Sequence, residues 1–346
     1  MCPYIVLKLV GLTMYFMLEI RKDDSCDFVI LNLTDIHASD SDCNEKNGNY
    51  RITKYTIDKL YERVNPDLVT ISGDLAWSNN FVAYKELAMW LDSYKKPWSV
   101  VWGNHDNERG RESLDKVIEI YTQQQYFFYE NGPDSLGRGN YVINIKNNEQ
   151  ICESLIMMDT HDREKYVDSE GKEKDGWGKL SGEQIKWYEE QIKELKKAGS
   201  KESIIITHIP IYAYKTAFKE AINDDINDTR SVLIEDSYSG KCWKDGYKDS
   251  FGVKREDVCC FPIDDGFFDV ITKNDHTKNI IAGHDHVSNY SIRYKGVRLT
   301  YGLKTGSWGY WEPNTKPALN GGTVMMINNG GVFDVHHEYV DVSNII

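Results

Sequence analysis

The chain has 346 residues, and its 54 acidic and 41 basic side chains give a formal net charge of −13 at neutral pH. This acidic balance, without a stripe of basic residues, argues against a nucleic-acid partner or an anionic membrane surface. Seven cysteines, an odd number with no CxxC spacing, are typical of a reducing compartment.

The first 20 residues are apolar enough to resemble an export signal or a membrane anchor. However, Lys8 interrupts the apolar run, no cationic segment precedes it, and no small-residue cleavage site follows it. The alternatives, in order of preference, are an added strand or a poorly specified extension, an upstream start that precedes a true start near Met17, and an export signal. We therefore treat residues 1–27 as an N-terminal extension and predict a cytoplasmic protein without stable membrane association.

The body of the chain begins with an alternation of strands and helices. Residues 28–34 form an apolar run of strand type, and apolar side chains at helical spacing predict a helix over 51–64. Pro66 ends that helix, residues 67–72 form the next strand, and a second helix follows at about 81–94. This order is typical of a layered α/β domain.

Later in the chain the pattern changes. Ser181 and Gln184 have the spacing of a capping box, which predicts an amphipathic helix from Ser181 to Lys197. From residue 290 onward, short strands alternate with glycine-containing turns, which favours a second sheet packed on the first.

Five short motifs carry side chains that can bind a metal, and four of them directly follow apolar runs of strand type. Oxygen and nitrogen donors without a thiolate suit Mn, Fe or Zn in an open hydrolytic site better than a closed structural zinc site. Each motif alone is more typical of a turn, but the set favours ligands gathered at one edge of a sheet. The motifs are Asp35-Ile36-His37, Gly73-Asp74, Gly103-Asn104-His105-Asp106, Thr207-His208 and Gly283-His284-Asp285-His286.

In order and context, these motifs resemble those of the calcineurin-like metallophosphoesterases over most of the chain. Within that superfamily the sequences GNHDNE, THIPIY and GHDHV are most similar to the purple-acid-phosphatase-like phosphoesterases. Purple members have an iron-binding tyrosine where this chain has Trp77, whose indole cannot coordinate a metal. His37 fills the family's alternative ligand position. The resemblance therefore implies a non-purple member with a four-layer α/β/β/α sandwich of two mixed sheets, the metallophosphatase fold.

The resemblance also implies a site for two transition-metal ions, divalent or trivalent, drawn from Mn, Fe or Zn. A shared carboxylate, Asp74, would hold the two ions about 3.5–4 Å apart, and a hydroxide bridging them would attack phosphorus. By this resemblance, the first ion takes Asp35, His37, Asp74 and His286, and the second takes Asp74, Asn104, His208 and His284.

In the same scheme His105 faces the substrate instead of binding a metal. It would act as a general acid or as an electrostatic stabiliser, with Asp106 beside it to fix its orientation. The alternative is a loop histidine packed against Trp102.

Two segments interrupt the regular pattern. Residues 160–180 are charged and contain glycines, and about 212–265 is a long insertion rich in Asp, Tyr and Lys. We interpret the insertion as a cap over the metal site, within a metallophosphoesterase domain spanning 28–346, with Tyr212 and Tyr214 as candidate substrate contacts. The alternative is a surface elaboration without substrate contact.

The predicted function is hydrolysis of a phosphate monoester or diester by a dinuclear metal-dependent phosphoric ester hydrolase. The expected partner is a small phosphate ester or a phosphorylated substrate, with no nucleic acid. The alternatives are a catalytically weak metal-binding scaffold that acts through its cap surface and a nuclease of the same fold. The sequence leaves the oligomeric state open.

Overall fold

The computed structural model describes residues 17–38, 48–77, 80–223, 240–307, 320–343 and 345. The helices of this part are α1 (Gly48–Val64), α2 (Phe81–Ser93), α3 (Asn104–Asn107), α4 (Arg111–Tyr121), α5 (Gly182–Lys197), α6 (Ala213–Ala221) and α7 (Phe267–Asn274). The strands are β1 (Met17–Arg21), β2 (Phe28–Leu33), β3 (Leu68–Ser72), β4 (Trp98–Val101), β5 (Tyr141–Asn147), β6 (Gln150–Met157), β7 (Arg163–Val167), β8 (Glu173–Trp177), β9 (Ser203–Ile206), β10 (Thr277–Ala282), β11 (Ser291–Tyr294), β12 (Val297–Tyr301), β13 (Gly321–Asn328) and β14 (Gly331–Tyr339).

Two large sheets organise these elements. One has seven strands in the order β1-β5-β6-β9-β10-β12-β11, and the other has five in the order β14-β13-β2-β3-β4. Each contains parallel and antiparallel pairs, as β9 with β10 and β11 with β12 illustrate in the larger sheet. The predicted pair of mixed sheets is confirmed.

The side chains of single strands show how the layers form, because successive residues point to opposite faces. Leu31 and Leu33 of β2 pack in a cluster with the side chains of α1, α2 and α4. Phe28 and Ile30 of the same strand pack instead in a cluster shared with the other sheet. A third cluster joins the seven-stranded sheet to α5, α6 and α7. The predicted four-layer α/β/β/α sandwich follows from these three interfaces.

The predicted helices agree with the structure to within a few residues. Helix α1 begins at Gly48 instead of residue 51, and α5 covers Gly182–Lys197. The capping box is present: the Ser181 hydroxyl accepts from the Gln184 amide at 3.2 Å, and the Gln184 side-chain oxygen accepts from the Ser181 amide at 2.9 Å. These bonds satisfy amide groups that have no partner within the first turn.

The strands after residue 290 exist as predicted, but their assignment to one second sheet is wrong. Strands β11 and β12 extend the larger sheet beside β10, whereas β13 lies antiparallel to β2 in the smaller sheet. Hydrophobic alternation defines a strand's two faces but does not specify its neighbour.

The N-terminal part of the described chain belongs to the larger sheet. Strand β1 pairs in parallel with β5, and Leu18 and Ile20 are buried between the sheets. The Lys146 ammonium lies 2.5 Å from the Glu19 carboxylate across this pair. The expectations for residues 1–16 lie outside the described residues.

None of the helices in the described ranges has the length and apolar character needed to cross a bilayer.

The two irregular segments contain regular structure. Strands β7 and β8 form an antiparallel hairpin within the charged, glycine-containing segment 160–180, with Arg163 opposite Trp177. Helix α6, inside the predicted cap, packs its buried face in the core of the larger sheet. Tyr214 is fully buried and its hydroxyl contacts the carbonyl oxygens of Ile280 and Thr300, so its assignment as a substrate contact is wrong. Residues 224–239 of the predicted cap lie outside the described residues.

We expect Tyr214→Ala to lower the free energy of unfolding by about 3–5 kcal/mol, because it removes a buried aromatic ring and leaves a cavity. Denaturant titration measures this change, and Tyr212→Ala, at a partly buried neighbour, is the matched control with a smaller expected loss. If Tyr214→Ala kept its stability and impaired only substrate affinity, the core role would be wrong.

Candidate metal centre

Parallel neighbouring strands of both sheets end at the same place. Asp35, Asp74 and Asn104 follow β2, β3 and β4 of the smaller sheet, and these strands run parallel. His208 and His284 follow β9 and β10, which are parallel neighbours in the larger sheet. The carboxyl ends of five strands thus bring the predicted ligands together between the two sheets.

The first predicted ligand set forms a compact group. One ligand atom of each of Asp35, His37, Asp74 and His286 lies within 4.8 Å of the others. The Nε2 atoms of His37 and His286 are 3.0 Å apart. His37 Nε2 lies 3.5 Å from Asp74 Oδ2, and His286 Nε2 lies 3.4 Å from Asp35 Oδ1. Two imidazole nitrogens and two carboxylates therefore converge on one point.

The second set shares Asp74 with the first. Asp74, His208 and His284 form a group by the same criterion. His208 Nε2 lies 3.3 Å from Asp74 Oδ2 and 2.9 Å from Asn104 Oδ1. Its other nitrogen, Nδ1, lies 2.8 Å from the Ser72 carbonyl oxygen and donates to it. A backbone carbonyl that fixes the imidazole in this way turns Nε2 toward the metal position.

The donor atoms fit cations. His284 Nε2 is buried and has no hydrogen-bond partner within the described part of the chain. Burial lowers the pKa of His37 and of His284 to about 3, so both imidazoles are neutral with a lone pair to offer. Burial opposes charge on Asp74 too, but the neighbouring His208 outweighs it and holds the pKa of Asp74 well below its ordinary value. Burial also opposes charge on His208, but the Asp74 carboxylate outweighs it and raises the pKa of His208 to about 9. Metal binding requires neutral imidazoles and ionised carboxylates, so His37 and His284 are already in the required state and His208 must release a proton.

Four of the candidate ligands have left-handed backbone conformations. The φ angles are +50° at Asp35, +48° at His37, +52° at Asp74 and +78° at His284. Such conformations cost about 1–3 kcal/mol each and cluster at functional sites. The surrounding structure thus holds the ligand loops in strained conformations, which aim the side chains inward from the strand ends.

Two motif glycines allow the loops to approach one another. A Cβ at Gly103 would lie 2.1 Å from Asp74 Oδ1, and one at Gly283 would lie 2.1 Å from the Thr34 hydroxyl, whose oxygen also bonds Asp35. Either side chain would displace a carboxylate of the site. The glycines therefore belong to these motifs for steric reasons.

His105 differs from the ligand histidines because its side chain is 28% exposed. Its ring packs against Trp77, with the centroids 4.4 Å apart, and against His37 at 5.3 Å. Its backbone amide donates to Asp74 Oδ1 at 2.9 Å. His105 thus lies at the open side of the two ligand groups. Among the described residues, its ring contacts are with Trp77 and His37, and not with Trp102 as the alternative interpretation expected.

The carboxylate expected to orient His105 is not the one that contacts it. Asp106 instead accepts from the backbone amides of Gly103 and Leu75 and from the Tyr84 hydroxyl. It joins the loop of Asn104 to the loop of Asp74. Burial, followed by the charge of Asp74, raises the pKa of Asp106 to about 7.

Glu108 takes the orienting position. Its Oε2 lies 3.0 Å from His105 Nδ1, because residues three apart in a helical turn share a face. Sequence reasoning missed this residue, although the i, i+3 spacing after the Asn104 motif was a usable signal.

Sequence reasoning also missed an aromatic contact with the second group. The edge of Trp177 in the β7–β8 hairpin packs on His284, with the ring centroids 4.3 Å apart. The Arg163 guanidinium covers the same indole at 3.8 Å. The β7–β8 hairpin therefore packs beside the second group of candidate ligands.

The chain is similar in sequence and in fold to several known proteins. The sequence profile of the calcineurin-like phosphoesterases matches residues 28–288. The chain is 22% identical over 331 residues to "Probable inactive purple acid phosphatase 14" of Arabidopsis thaliana, covering 85% of this chain and 74% of that protein. It is 22% identical to "Phosphatase DCR2" of Saccharomyces cerevisiae, covering 80% of this chain and 46% of that protein. A dimetal phosphatase from Danio rerio shares the fold, with a TM-score of 0.50, 11% identity and coverage of 90% and 98% of the two chains.

Proposed function

The chain belongs to the calcineurin-like phosphoesterase family, and we propose that it is an active dinuclear metal-dependent hydrolase of phosphate monoesters or diesters. The observation that carries this proposal is the completeness of the two ligand groups around a shared Asp74. A half-open histidine, His105, lies next to them.

The proposed division of ligands keeps the two groups described above. Asp35, His37, Asp74 and His286 hold the first ion, and Asp74, His208 and His284, with Asn104, hold the second. When bound, the ions supply Lewis acidity that makes a water nucleophile available near neutral pH and neutralises charge on the phosphoryl oxygens. Imidazole and carboxylate donors are compatible with Mn, Fe or Zn.

The chain's own residues then act on the substrate. His105 is exposed enough to reach a phosphate ester, while Glu108 holds Nδ1 and leaves Nε2 for the substrate. As an imidazolium, it donates a proton from Nε2 to the leaving oxygen or stabilises the phosphoryl oxygens. Asp106 holds the loops of Asn104 and Asp74 together through its hydrogen bonds to the backbone amides of Gly103 and Leu75.

The names of several relatives raise the alternative of a metal-binding scaffold without turnover. The Arabidopsis relative carries the description "probable inactive". In this chain, however, the predicted ligands are all present. Within each group the ligand atoms lie within 4.8 Å of one another, and Asn104 Oδ1 lies 2.9 Å from His208 Nε2. Trp77 stands where purple members have a tyrosine ligand, and His37 supplies a nitrogen ligand to the first group instead. These observations favour the hydrolase over the scaffold, and the net charge of −13 disfavours the nuclease.

The test is turnover after controlled reconstitution with metal. The purified chain is chelated, reloaded separately with Mn, Fe or Zn, and assayed with 4-nitrophenyl phosphate and bis(4-nitrophenyl) phosphate. We expect hydrolysis only with metal, and Asp74→Asn, prepared in parallel, controls for contaminating phosphatases. A chain that binds two ions but hydrolyses neither ester nor any member of a wider phosphoester panel would support the scaffold.

Metal binding should also be visible as stability. We expect Mn²⁺ to raise the melting temperature of the chelated protein, because a ligand bound only by the folded state adds about 2.7 kcal/mol at a hundredfold excess over its Kd. Thermal unfolding with and without Mn²⁺ measures the rise, and K⁺ at equal ionic strength is the control. An unchanged melting temperature together with no bound Mn²⁺ would contradict the ligand assignment.

A further inference from the structure

A third cluster of possible metal ligands lies beside the proposed centre and shares no residue with it. One ligand atom of each of Glu256, Cys259 and Asp285 lies within 4.8 Å of the others. Asp285 comes from the Gly283–His286 loop, and the other two come from the segment that precedes α7. Neither the ligand sets nor the mechanism proposed above uses this cluster.

Asp285 supplies the strongest indication of a ligand. Its side chain is almost completely enclosed, at 3% exposure. Oδ2 accepts from the Cys259 amide at 3.1 Å and from the Tyr301 hydroxyl. Oδ1 is also buried and has no hydrogen-bond partner among the described residues. Burying a polar atom without a partner costs about 1–3 kcal/mol, so this oxygen has a lone pair to offer a cation.

The two other side chains are held near Asp285 by the backbone. The Cys259 amide is bonded to the Asp285 carboxylate, and its thiol, which is partly exposed, lies 3.5 Å from the Asp257 carbonyl oxygen. Glu256 Oε1 accepts from the Val287 amide at 3.4 Å. The segment 256–259 therefore contacts the Gly283–His286 loop at Asp285 and also contacts Val287, the residue that follows this loop.

We propose that Glu256, Cys259 and Asp285 bind a third cation, a borderline transition-metal dication such as Zn²⁺, that ties the 256–259 segment to the loop carrying His284 and His286. One sulfur and two carboxylate oxygens suit Zn²⁺ or Co²⁺, whereas Mg²⁺ and Ca²⁺ take oxygen ligands only. On binding, the thiol gives up its proton to solvent and gives up its weak bond to the Asp257 carbonyl. Water completes the coordination.

Sulfur separates this site from the dinuclear centre in an experiment. The chelated protein is loaded with Co²⁺, and its near-ultraviolet spectrum and bound cobalt per chain are measured. We expect a thiolate-to-cobalt charge-transfer band from Cys259. The band reports this site and not the dinuclear centre, because neither group of that centre contains a cysteine. Cys259→Ser should lose this band and about one equivalent of cobalt. Cys260→Ser, at the adjacent residue outside the cluster, should keep both.

A second variant and the possible contradictions complete the test. Glu256→Gln keeps the thiol but loses a charged ligand, so it should show the same band with a Co²⁺ affinity at least about tenfold weaker, the loss typical of removing even an outer-shell partner. Circular dichroism of each variant verifies the fold. A wild-type chain without the band, or a band that survives unchanged in Cys259→Ser, would overturn the proposal. Neither the band nor the bound cobalt depends on turnover. This test can therefore succeed or fail independently of the proposed hydrolase activity.

Discussion

Asp74→Asn is expected to abolish turnover and to remove both metal ions. Asp74 is the one residue shared by the two ligand groups proposed for the dinuclear centre, and its Oδ2 lies near both His37 and His208. The amide keeps the size of the side chain but loses the charge, so the cations lose their shared ligand. Since several kcal/mol of transition-state stabilisation depend on the ions, we expect kcat to fall by about 10³-fold or more.

The measurement is metal content by elemental analysis together with turnover under the same conditions. Asp35→Asn is the matched control because Asp35 belongs only to the first group. It should lose mainly one ion and retain more metal than Asp74→Asn. An Asp74→Asn protein that bound as much metal as the wild-type chain and kept near-normal turnover would refute the shared position.

His105→Ala should separate the chemical step from metal binding. His105 belongs to neither ligand group, and its side chain is partly exposed, so metal content should remain intact. If Nε2 protonates the leaving oxygen, kcat should fall by about 10²–10⁴ for an ester of a poor leaving alcohol. The loss should be smaller for 4-nitrophenyl phosphate, because nitrophenolate departs without a proton.

Glu108→Gln provides the matched variant for this experiment. It keeps a side chain that can hydrogen-bond His105 Nδ1 but removes the negative charge, so a weaker loss with the same dependence on leaving group is expected. Equal losses for good and poor leaving groups in His105→Ala would exclude the acid and leave electrostatic stabilisation. Loss of a metal ion in that variant would mean that the ligand set is misassigned.

Candidate ligands could be found in the sequence because each is a polar side chain near the end of an apolar strand, whereas their division between two ions came from the family resemblance. Asp35, Asp74 and His208 carry that signal in a few residues of chain. The left-handed backbone of Asp35, His37, Asp74 and His284 could not be predicted, because it depends on loops from both sheets packing together. The contact of Trp177 with His284 was missed for the same reason: the hairpin and the loop meet only in the folded chain.

Helix α6 shows a signal that was present and misinterpreted. Its buried residues Ala213, Tyr214, Ala217, Phe218 and Ala221 recur at helical spacing, which is typical of a face packed on a core. The overall polarity of the surrounding insertion obscured that short stripe. Strand pairing was a different problem, because the hydrophobic pattern of a strand does not specify its neighbour, and β11 and β13 belong to different sheets.

Strand β1 has a practical consequence for protein production. The family profile begins at residue 28, which invites a shortened chain that starts there. Such a chain would lack β1 and expose the free amide and carbonyl groups of β5 along a length of five paired residues. Because β1 is itself the edge strand of this sheet, the larger loss is the buried side chains of Leu18 and Ile20, which cover the core between the sheets. The shortened protein should therefore be less stable and more prone to pair with other molecules through its exposed strand and core. A chain that starts at Met17 retains its own covering strand.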